Sequence, residues 1–187
     1  MKTHFLVVAL ICVAAVAAGS AQAQPDEVIV LTPHNLALGD PTSKCRAVNT
    51  FDVFDVNGDT LLGTGTACIK KELVERGCGE PPLVPPFTPG CRQRVGLVLT
   101  FDFLSGSSLT VRTVFREIFS SQLSLVNIAK GRVTDGTGIY EGRRGTLEGA
   151  GSTIININEQ RIDTTIVWVI RLTEQDEFDE DEFDKDF

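Results

Sequence analysis

The middle of the chain alternates strictly between apolar and other residues, and this period of two restricts the fold more than any other property of the sequence. Apolar side chains occupy positions 95, 97, 99, 101 and 103, and the same spacing returns from position 109 to 115. Ser105-Gly106-Ser107 separates the two runs. Because successive side chains of an extended strand point to opposite faces, the pattern predicts a hairpin whose two strands each have one apolar face.

The same kind of pattern predicts eight strands, most of them joined by hairpins. Asn57-Gly58 is a strong turn signal, since both residues tolerate a positive φ. Only residues 70–76 could hold a helical turn. Eight strands can close on themselves and enclose side chains or one small ligand, although an open sandwich also fits the count. We expect an all-β, eight-stranded antiparallel β-barrel with strands at 28–31, 48–56, 61–71, 94–103, 109–115, 123–134, 146–157 and Arg161–Thr173.

The two ends of the chain have compositions unlike the rest. Lys2, an apolar run over residues 5–18 and Ala21-Gln22-Ala23 form the three parts of a secretory signal peptide, so residues 1–23 are expected to be removed and the protein secreted. Residues 174–187 carry nine acidic residues and one lysine, which accounts for the whole net charge of −8. We expect this tail to be disordered. The domain at 24–173 is then nearly neutral, with no basic stripe for nucleic acid and no helical membrane span.

Four cysteines remain after residue 23, and they flank a proline-rich loop. Cys45, Cys68, Cys78 and Cys91 form an even set, which in an exported chain predicts two disulfides. The spacing lacks a C-x-x-C pair and so argues against a zinc site. Residues 72–90 contain five prolines, which predicts a long loop without strand or helix. Three pairings are possible, and spacing alone does not choose among them.

The glycine-rich segment at residues 135–146, DGTGIYEGRRGT, is the most distinctive stretch. It resembles the G-T-G-x-F/Y-x-G-x-R-G segment of the allene oxide cyclase and dirigent barrels. Phe51 to Asp55 with Asn57-Gly58, and the glycine-rich run that ends at Cys68, look like segments of the cyclase-like branch in the same order. The resemblance spans roughly residues 50–153.

The resemblance implies an eight-stranded barrel with an apolar cavity, often trimeric, that steers cyclisation or stereoselective coupling of a small apolar or phenolic molecule. Such a protein needs no cofactor or metal. The placement of Cys68 and Cys91 in the family-like order favours a bridge between them, which leaves Cys45 with Cys78. Thr32 and His34 stand where the plant cyclases have a Glu-x-Asn pair, and the dirigent His-Asp pair is also missing. No family catalytic residue is therefore carried over, and whether the chain is an enzyme stays open.

Five residues are candidates for binding a ligand. His34 is the only histidine after residue 23 and could donate a proton, while a loop histidine is the plainer interpretation. Asp52, Arg112 and Glu117 are charged residues interpreted as lying mid-strand, Glu117 just past the alternating row at 109–115, and charges there usually face solvent or a subunit partner. Tyr140 lies between glycines as a packing anchor. The alternative function is a non-enzymatic barrel that binds a hydrophobic ligand or a partner protein.

Asp55, Asn57 and Asp59 have the spacing that opens a calcium loop but lack its glycine and glutamate, so turn chemistry explains them.

Overall fold

The computed structural model describes residues 27–75, 78, 86–156 and 161–173. These residues form one closed antiparallel barrel in which the strands follow sequence order and the last pairs with the first. The predicted all-β barrel is confirmed. The predicted signal peptide, the acidic tail and residues 76, 77 and 79–85 of the proline-rich loop lie outside the described residues. The strands are β1 (Glu27–Ala37), β2 (Ala47–Asp55), β3 (Leu61–Val74), β4 (Arg92–Phe103), β5 (Ser108–Phe119), β6 (Ser124–Thr137), β7 (Arg144–Asn156) and β8 (Arg161–Thr173).

The alternation in the sequence becomes an inner and an outer face of the barrel. Each large apolar side chain that the inner face removes from water contributes about 1.5–3 kcal/mol, so the inward rows supply most of the stabilisation. The buried inward residues of the hairpin β4–β5 are Val95, Leu97, Leu99, Phe101, Leu109, Val111, Thr113 and Phe115.

β1, β3, β5 and β6 each extend three or more residues beyond their predicted ends, and the reason is clear for β1 and β3. The first was expected to stop at Pro33, but β1 continues to Ala37. Its ladder with β8 ends at Leu31, beyond which β1 pairs with β2 alone, and a strand with one unpaired edge tolerates proline. Residues 70–76 could have held a helical turn, and residues 72–90 were expected to be loop without strand, but β3 continues through Val74 with a register shift between Ile69 and Lys71. The extra residue at this bulge had broken the alternation in the sequence.

The glycine-rich segment closes one end of the barrel. It forms the end of β6, a 3-10 turn at Gly138–Tyr140 and the start of β7. Gly138 has a φ of +63°, and a Cβ there would lie 2.5 Å from Ser107 Oγ, so only glycine fits the turn. Tyr140 is buried and packs against Phe103 with ring centroids 5.4 Å apart. Below it, apolar side chains that are almost completely buried fill this half of the barrel: Leu31, Val53, Phe101, Leu109, Val111, Leu147, Ile170 and Leu172.

Two disulfides stabilise the opposite end, but not in the expected pairing. Cys45 bonds to Cys68 and Cys78 to Cys91, with Cα–Cα distances of 5.3 and 5.2 Å. The expected Cys68–Cys91 bridge is wrong because Cys68 pairs with Val98 on β4. Cys91 lies seven positions before Val98, about 23 Å away along an extended strand, whereas bridged Cα atoms lie within about 7 Å. The observed pairs still join neighbouring segments of the sheet, as hairpin order requires.

Candidate functional site

The half of the barrel beneath the disulfides holds a cavity of about 210 Å³. An engineered cavity of about 150 Å³ is known to accept benzene, so this space suits one ring with a short substituent. Its lining comes from all eight strands, at the ends where β1, β3, β5 and β7 finish and the other four begin. The lining residues are Pro33, Leu36, Asn49, Phe51, Ala67, Ile69, Glu72, Gln93, Val95, Leu97, Leu99, Phe115, Glu117, Asn127, Thr153, Thr164, Ile166 and Trp168.

An aromatic cluster around Trp168 forms the floor of the cavity. The indole ring makes edge contacts with Phe51 and Phe101 at centroid distances of 5.4 and 5.5 Å, and with Phe115 at 6.5 Å. These separations are in the range of favourable aromatic pairs. The floor therefore separates the cavity from the filled half of the barrel and presents ring faces and edges to any occupant.

Glycines on the inner face make room for these rings. A Cβ on Gly65 would lie 2.1 Å from Cε2 of Phe51, and one on Gly149 would lie 2.4 Å from Cδ1 of Trp168. Neither glycine has a positive φ, so their role is space rather than backbone conformation. Each large ring thus lies directly across a position that has no side chain.

One wall of the cavity carries carboxyl and amide groups from three neighbouring strands. The bulge in β3 turns Glu72 inward, Gln93 is the second residue of β4, and Glu117 stands directly opposite Gln93 on β5. Gln93 Nε2 donates a hydrogen bond to Glu117 Oε2. Glu72 lies 3.9 Å from Nη1 of Arg46, an exposed residue. The register alone therefore brings two acids and an amide together in an otherwise apolar lining.

The environment of Glu117 favours its neutral form. Glu117 keeps accessible surface where it faces the cavity, but burial of its carboxyl is the main cause that raises its pKa above the ordinary value. The hydrogen bond from Gln93 acts in the opposite direction, and the negative charge of Glu72 raises the pKa further. A carboxyl with a raised pKa keeps its proton to a higher pH than a free carboxyl does, and in that form it can donate a hydrogen bond or a proton.

The opposite wall carries a chain of uncharged polar groups. Asn127 Nδ2 donates to Thr153 Oγ1 at 3.0 Å, and Thr153 Oγ1 lies 3.2 Å from Thr164 Oγ1. These groups satisfy one another across β6, β7 and β8. They keep this side of the cavity polar without a charge.

Three buried polar atoms of the lining have no hydrogen-bond partner among the described residues. They are Asn49 Oδ1, Gln93 Oε1 and Trp168 Nε1. An unpaired buried polar atom costs roughly 1–3 kcal/mol, so the cost would be offset if an occupant supplied the missing partners. All three residues belong to the cavity lining.

A short segment before β4 covers part of the open end. The ring of Phe87 packs against that of Phe119 in a tilted arrangement at a centroid distance of 4.3 Å, and both are buried with Cys91 and Leu125 in a small second cluster. The amide of Phe87 donates to the carbonyl of Gln122 at 2.8 Å. The Cys78–Cys91 disulfide therefore lies beside a packed cover over the β4–β6 side of the mouth.

Of the five residues proposed from the sequence, Glu117 is part of the cavity lining and four lie elsewhere among the described residues. His34 is exposed beside Phe54, with ring centroids 4.9 Å apart, and Asp52 accepts a hydrogen bond from Asn35 Nδ2 at 2.7 Å. Arg112 lies between inward-facing Val111 and Thr113, and Tyr140 packs at the closed end. A binding role for any of the five stays a prediction.

Asn49, Gln93 and Trp168 were not singled out from the sequence. The available signal was their phase, because each lies in step with the apolar positions of its own strand. A polar residue in step with an inward row is a candidate for lining a cavity, since a filled core would exclude it.

The carboxylate of Asp55 organises a turn. Its Oδ1 accepts hydrogen bonds from the amides of Asp59 and Thr60 at 3.0 and 3.3 Å. The bond from the Thr60 amide is the main cause that lowers the pKa of Asp55. Within the described ranges, no group of three or more His, Cys, Asp or Glu residues could hold a metal ion. No helix in that part of the chain is long and apolar enough to cross a membrane.

The chain was compared with protein-family models, with curated proteins and with solved structures, and none of the three comparisons gives a match.

Proposed function

We propose that this protein is a secreted barrel that binds a small, largely apolar ring molecule in its cavity and steers its cyclisation or stereoselective coupling. The observation that carries the proposal is a cavity closed at one end, with an aromatic floor and buried polar atoms that have no partner. Ligand sites in proteins have this composition, mostly apolar with a few polar groups that fix orientation.

The cavity would act mainly by shape. A space of about 210 Å³ restricts a flexible substrate to few conformers and removes most of its water. Holding reacting atoms in a near-attack arrangement can contribute roughly 7–11 kcal/mol to lowering a barrier. Glu117 would add a hydrogen bond or a proton to an oxygen of the substrate, with Gln93 fixing the orientation of the carboxyl.

The resemblance of residues 135–146 to the allene oxide cyclase and dirigent barrels supports the same proposal. Because those barrels are often trimeric, the proposal includes a homotrimer of this chain. In this chain the acid would come from β5, whereas the plant cyclases have theirs on the first strand. Thr32 and His34, the residues at the family's first-strand positions, lie on either side of inward-facing Pro33. The chemistry would therefore use a different wall of the same kind of barrel.

A second candidate is a barrel that binds the ligand without changing it. The observation that favours it concerns β1, the strand on which the plant cyclases carry their acid. Here β1 contributes only Pro33 and Leu36 to the described lining, and neither is an acid. A carrier and an enzyme differ in what happens to the bound molecule. An enzyme converts the bound molecule to a product enriched in one stereoisomer, and a carrier returns it unchanged.

The single tryptophan of the chain provides the test, because Trp168 lies in the cavity floor. Titration of single-ring compounds should change its fluorescence with saturation, and mass spectrometry of extracts from the native protein should recover a molecule of that size. The variant Ala67→Leu fills the cavity and should weaken binding at least about tenfold, or about 1.4 kcal/mol. Thr66→Leu adds a similar side chain at the adjacent, outward-facing position and should leave binding unchanged. Equal affinity in Ala67→Leu and wild type would refute the cavity as the binding site.

A further inference from the structure

The described lining of the cavity carries acidic side chains and no basic ones. Among the residues that the structure describes, the ionisable lining residues are Glu72 and Glu117, and the lining has no lysine, arginine or histidine. Arg46, which lies near Glu72, is more than half exposed and is not part of the lining. An anion in the cavity would meet these two carboxyls and no opposite charge from the described lining, and the cost of removing its charge from water would not be recovered.

The unpaired atoms on the carboxyl side are acceptors. Gln93 Nε2 is engaged by Glu117, which directs Gln93 Oε1 to act as an acceptor without a partner. Asn49 Oδ1 is a second such acceptor on β2. Gln93 is 8% exposed, so bulk water does not replace the missing donor. These two amide oxygens lack a donor among the described residues, and an occupant with a donor group could supply one.

The floor below these acceptors suits a cation. Phe51, Phe115 and Trp168 line the same cavity, and the negative face of an aromatic ring attracts a positive charge within about 6 Å. An ammonium group supplies three donors and one positive charge in a compact volume. A carboxyl of Glu117 or Glu72, two amide oxygens and aromatic rings would together replace its water.

Resting on the proposed function, we propose that the molecule held in this cavity is a small amine: a protonated primary amine on a short chain attached to one aromatic ring. The ring would occupy the apolar region above Trp168. The positive charge of the ammonium would oppose the causes that raise the pKa of Glu117 and hold it as a carboxylate, and the ammonium would donate to that carboxylate, to Gln93 Oε1 and to Asn49 Oδ1. A space of about 210 Å³ accommodates such a molecule with little room to spare.

Three probes of nearly equal size separate the charge effects: phenethylamine, 2-phenylethanol and phenylacetate. Trp168 fluorescence and isothermal titration calorimetry at neutral pH should give an affinity for phenethylamine at least about tenfold tighter than for the alcohol. Phenylacetate should show no measurable binding. The variant Glu117→Gln should reduce the preference for the amine over the alcohol to within about threefold, because the charge partner is gone.

Glu148→Gln is the matched control, since it removes the same charge from an exposed residue that pairs with Arg171 on the outer face. It should retain the preference for the amine. Glu72→Gln is a second variant that removes a carboxyl from the cavity lining. If Glu117→Gln does not fold, the comparison of the three probes on wild-type protein still decides whether the cavity prefers the amine.

The outcomes distinguish the two proposals. Equal or tighter binding of the alcohol or of phenylacetate would overturn the amine inference and leave the cavity as a ligand site. Failure of all three probes to bind the wild-type protein, together with an empty cavity in the native extract, would overturn the proposed function itself.

Discussion

Gly65→Ala should destabilise the barrel, although a strand normally favours alanine over glycine. Gly65 lies on the inner face of β3, opposite Phe51 in the β2–β3 ladder. A Cβ there would lie 2.1, 2.3 and 2.9 Å from three carbons of the Phe51 ring. Non-bonded carbons prefer about 3.5–4.0 Å, so the ring must move by more than about 1 Å. Phe101 and Trp168 pack against it on the floor side, and the remaining direction leads into the cavity.

The expected magnitude combines two opposing effects. Overpacking a core costs about 1–3 kcal/mol, and replacing glycine in a strand recovers about 0.5–1 kcal/mol of backbone entropy. The net loss is about 1–2 kcal/mol, or a fall of roughly 2–8 °C in Tm for a domain of this size. Because Phe51 would move into the cavity, affinity for any ring-sized ligand should fall in the same variant.

Thermal denaturation of four proteins tests this reasoning: wild type, Gly65→Ala, Phe51→Leu and the double variant. Leucine removes the ring edge that alanine would meet, so the double variant should be more stable than the sum of the single changes predicts, by about 1 kcal/mol. Thr66→Ala, at the adjacent outward position, is the control for a strand substitution. If Gly65→Ala raises Tm, or if the two changes are simply additive, the close approach of Gly65 to Phe51 does not govern stability at this site.

Two further expectations concern the mouth of the barrel. Peptide mapping without reduction should recover Cys45 linked to Cys68 and Cys78 linked to Cys91, whereas recovery of a Cys68–Cys91 peptide would contradict the observed register. Replacing Cys78 and Cys91 by serine releases a short loop and should lower the free energy of unfolding by about 3 kcal/mol. Glu117→Gln should stabilise the protein above neutral pH and have little effect at pH 4. The pKa of Glu117 is raised in the folded state, so its ionised carboxyl destabilises the fold. This destabilisation is absent below the unfolded-state pKa and fully present above the folded-state pKa. Each pKa unit of that difference corresponds to about 1.4 kcal/mol, so the Tm difference between variant and wild type should widen as pH rises. A constant difference from pH 4 to pH 8 would show that Glu117 does not ionise in a buried environment.

Local patterning was enough to predict the number of strands and their order. Period-two alternation and hairpin signals such as Asn57-Gly58 act between neighbouring residues, and eight strands joined by hairpins can close into a barrel, as these do, although the count also fits an open sandwich. The end of β1 was missed because Pro33 is acceptable only where one edge of the strand is unpaired, and that depends on where the ladder with β8 stops. The disulfide pairing was missed for a similar reason. The bulge near Lys70 and the level at which Cys68 meets β4 are properties of register, which spacing along the chain does not contain.

The candidate site was predictable only in part. Glu117 stood out as a charge within a strand, but so did Asp52 and Arg112, and the three were not separated. Their phase along the strand does separate them: Glu117 follows Phe115 on the inner row, while Arg112 falls between two inward residues. Gln93 lies in step with Val95 and Leu97, and this phase could have identified it. The contact between Gln93 and Glu117 needed the β4–β5 register.

The arrangement of the disulfides has a consequence for how such a barrel can change over evolution or by design. The filled half has its stability in close packing, whereas the hollow half has both covalent bridges, at Cys45–Cys68 and Cys78–Cys91. Substitutions that reshape the cavity therefore act where the chain is already cross-linked, and they leave the packed half untouched. Positions such as Asn49 and Thr164 can be varied to accept new ligands with little risk to folding. A library restricted to the cavity lining should contain a high proportion of folded members and a wide range of specificities.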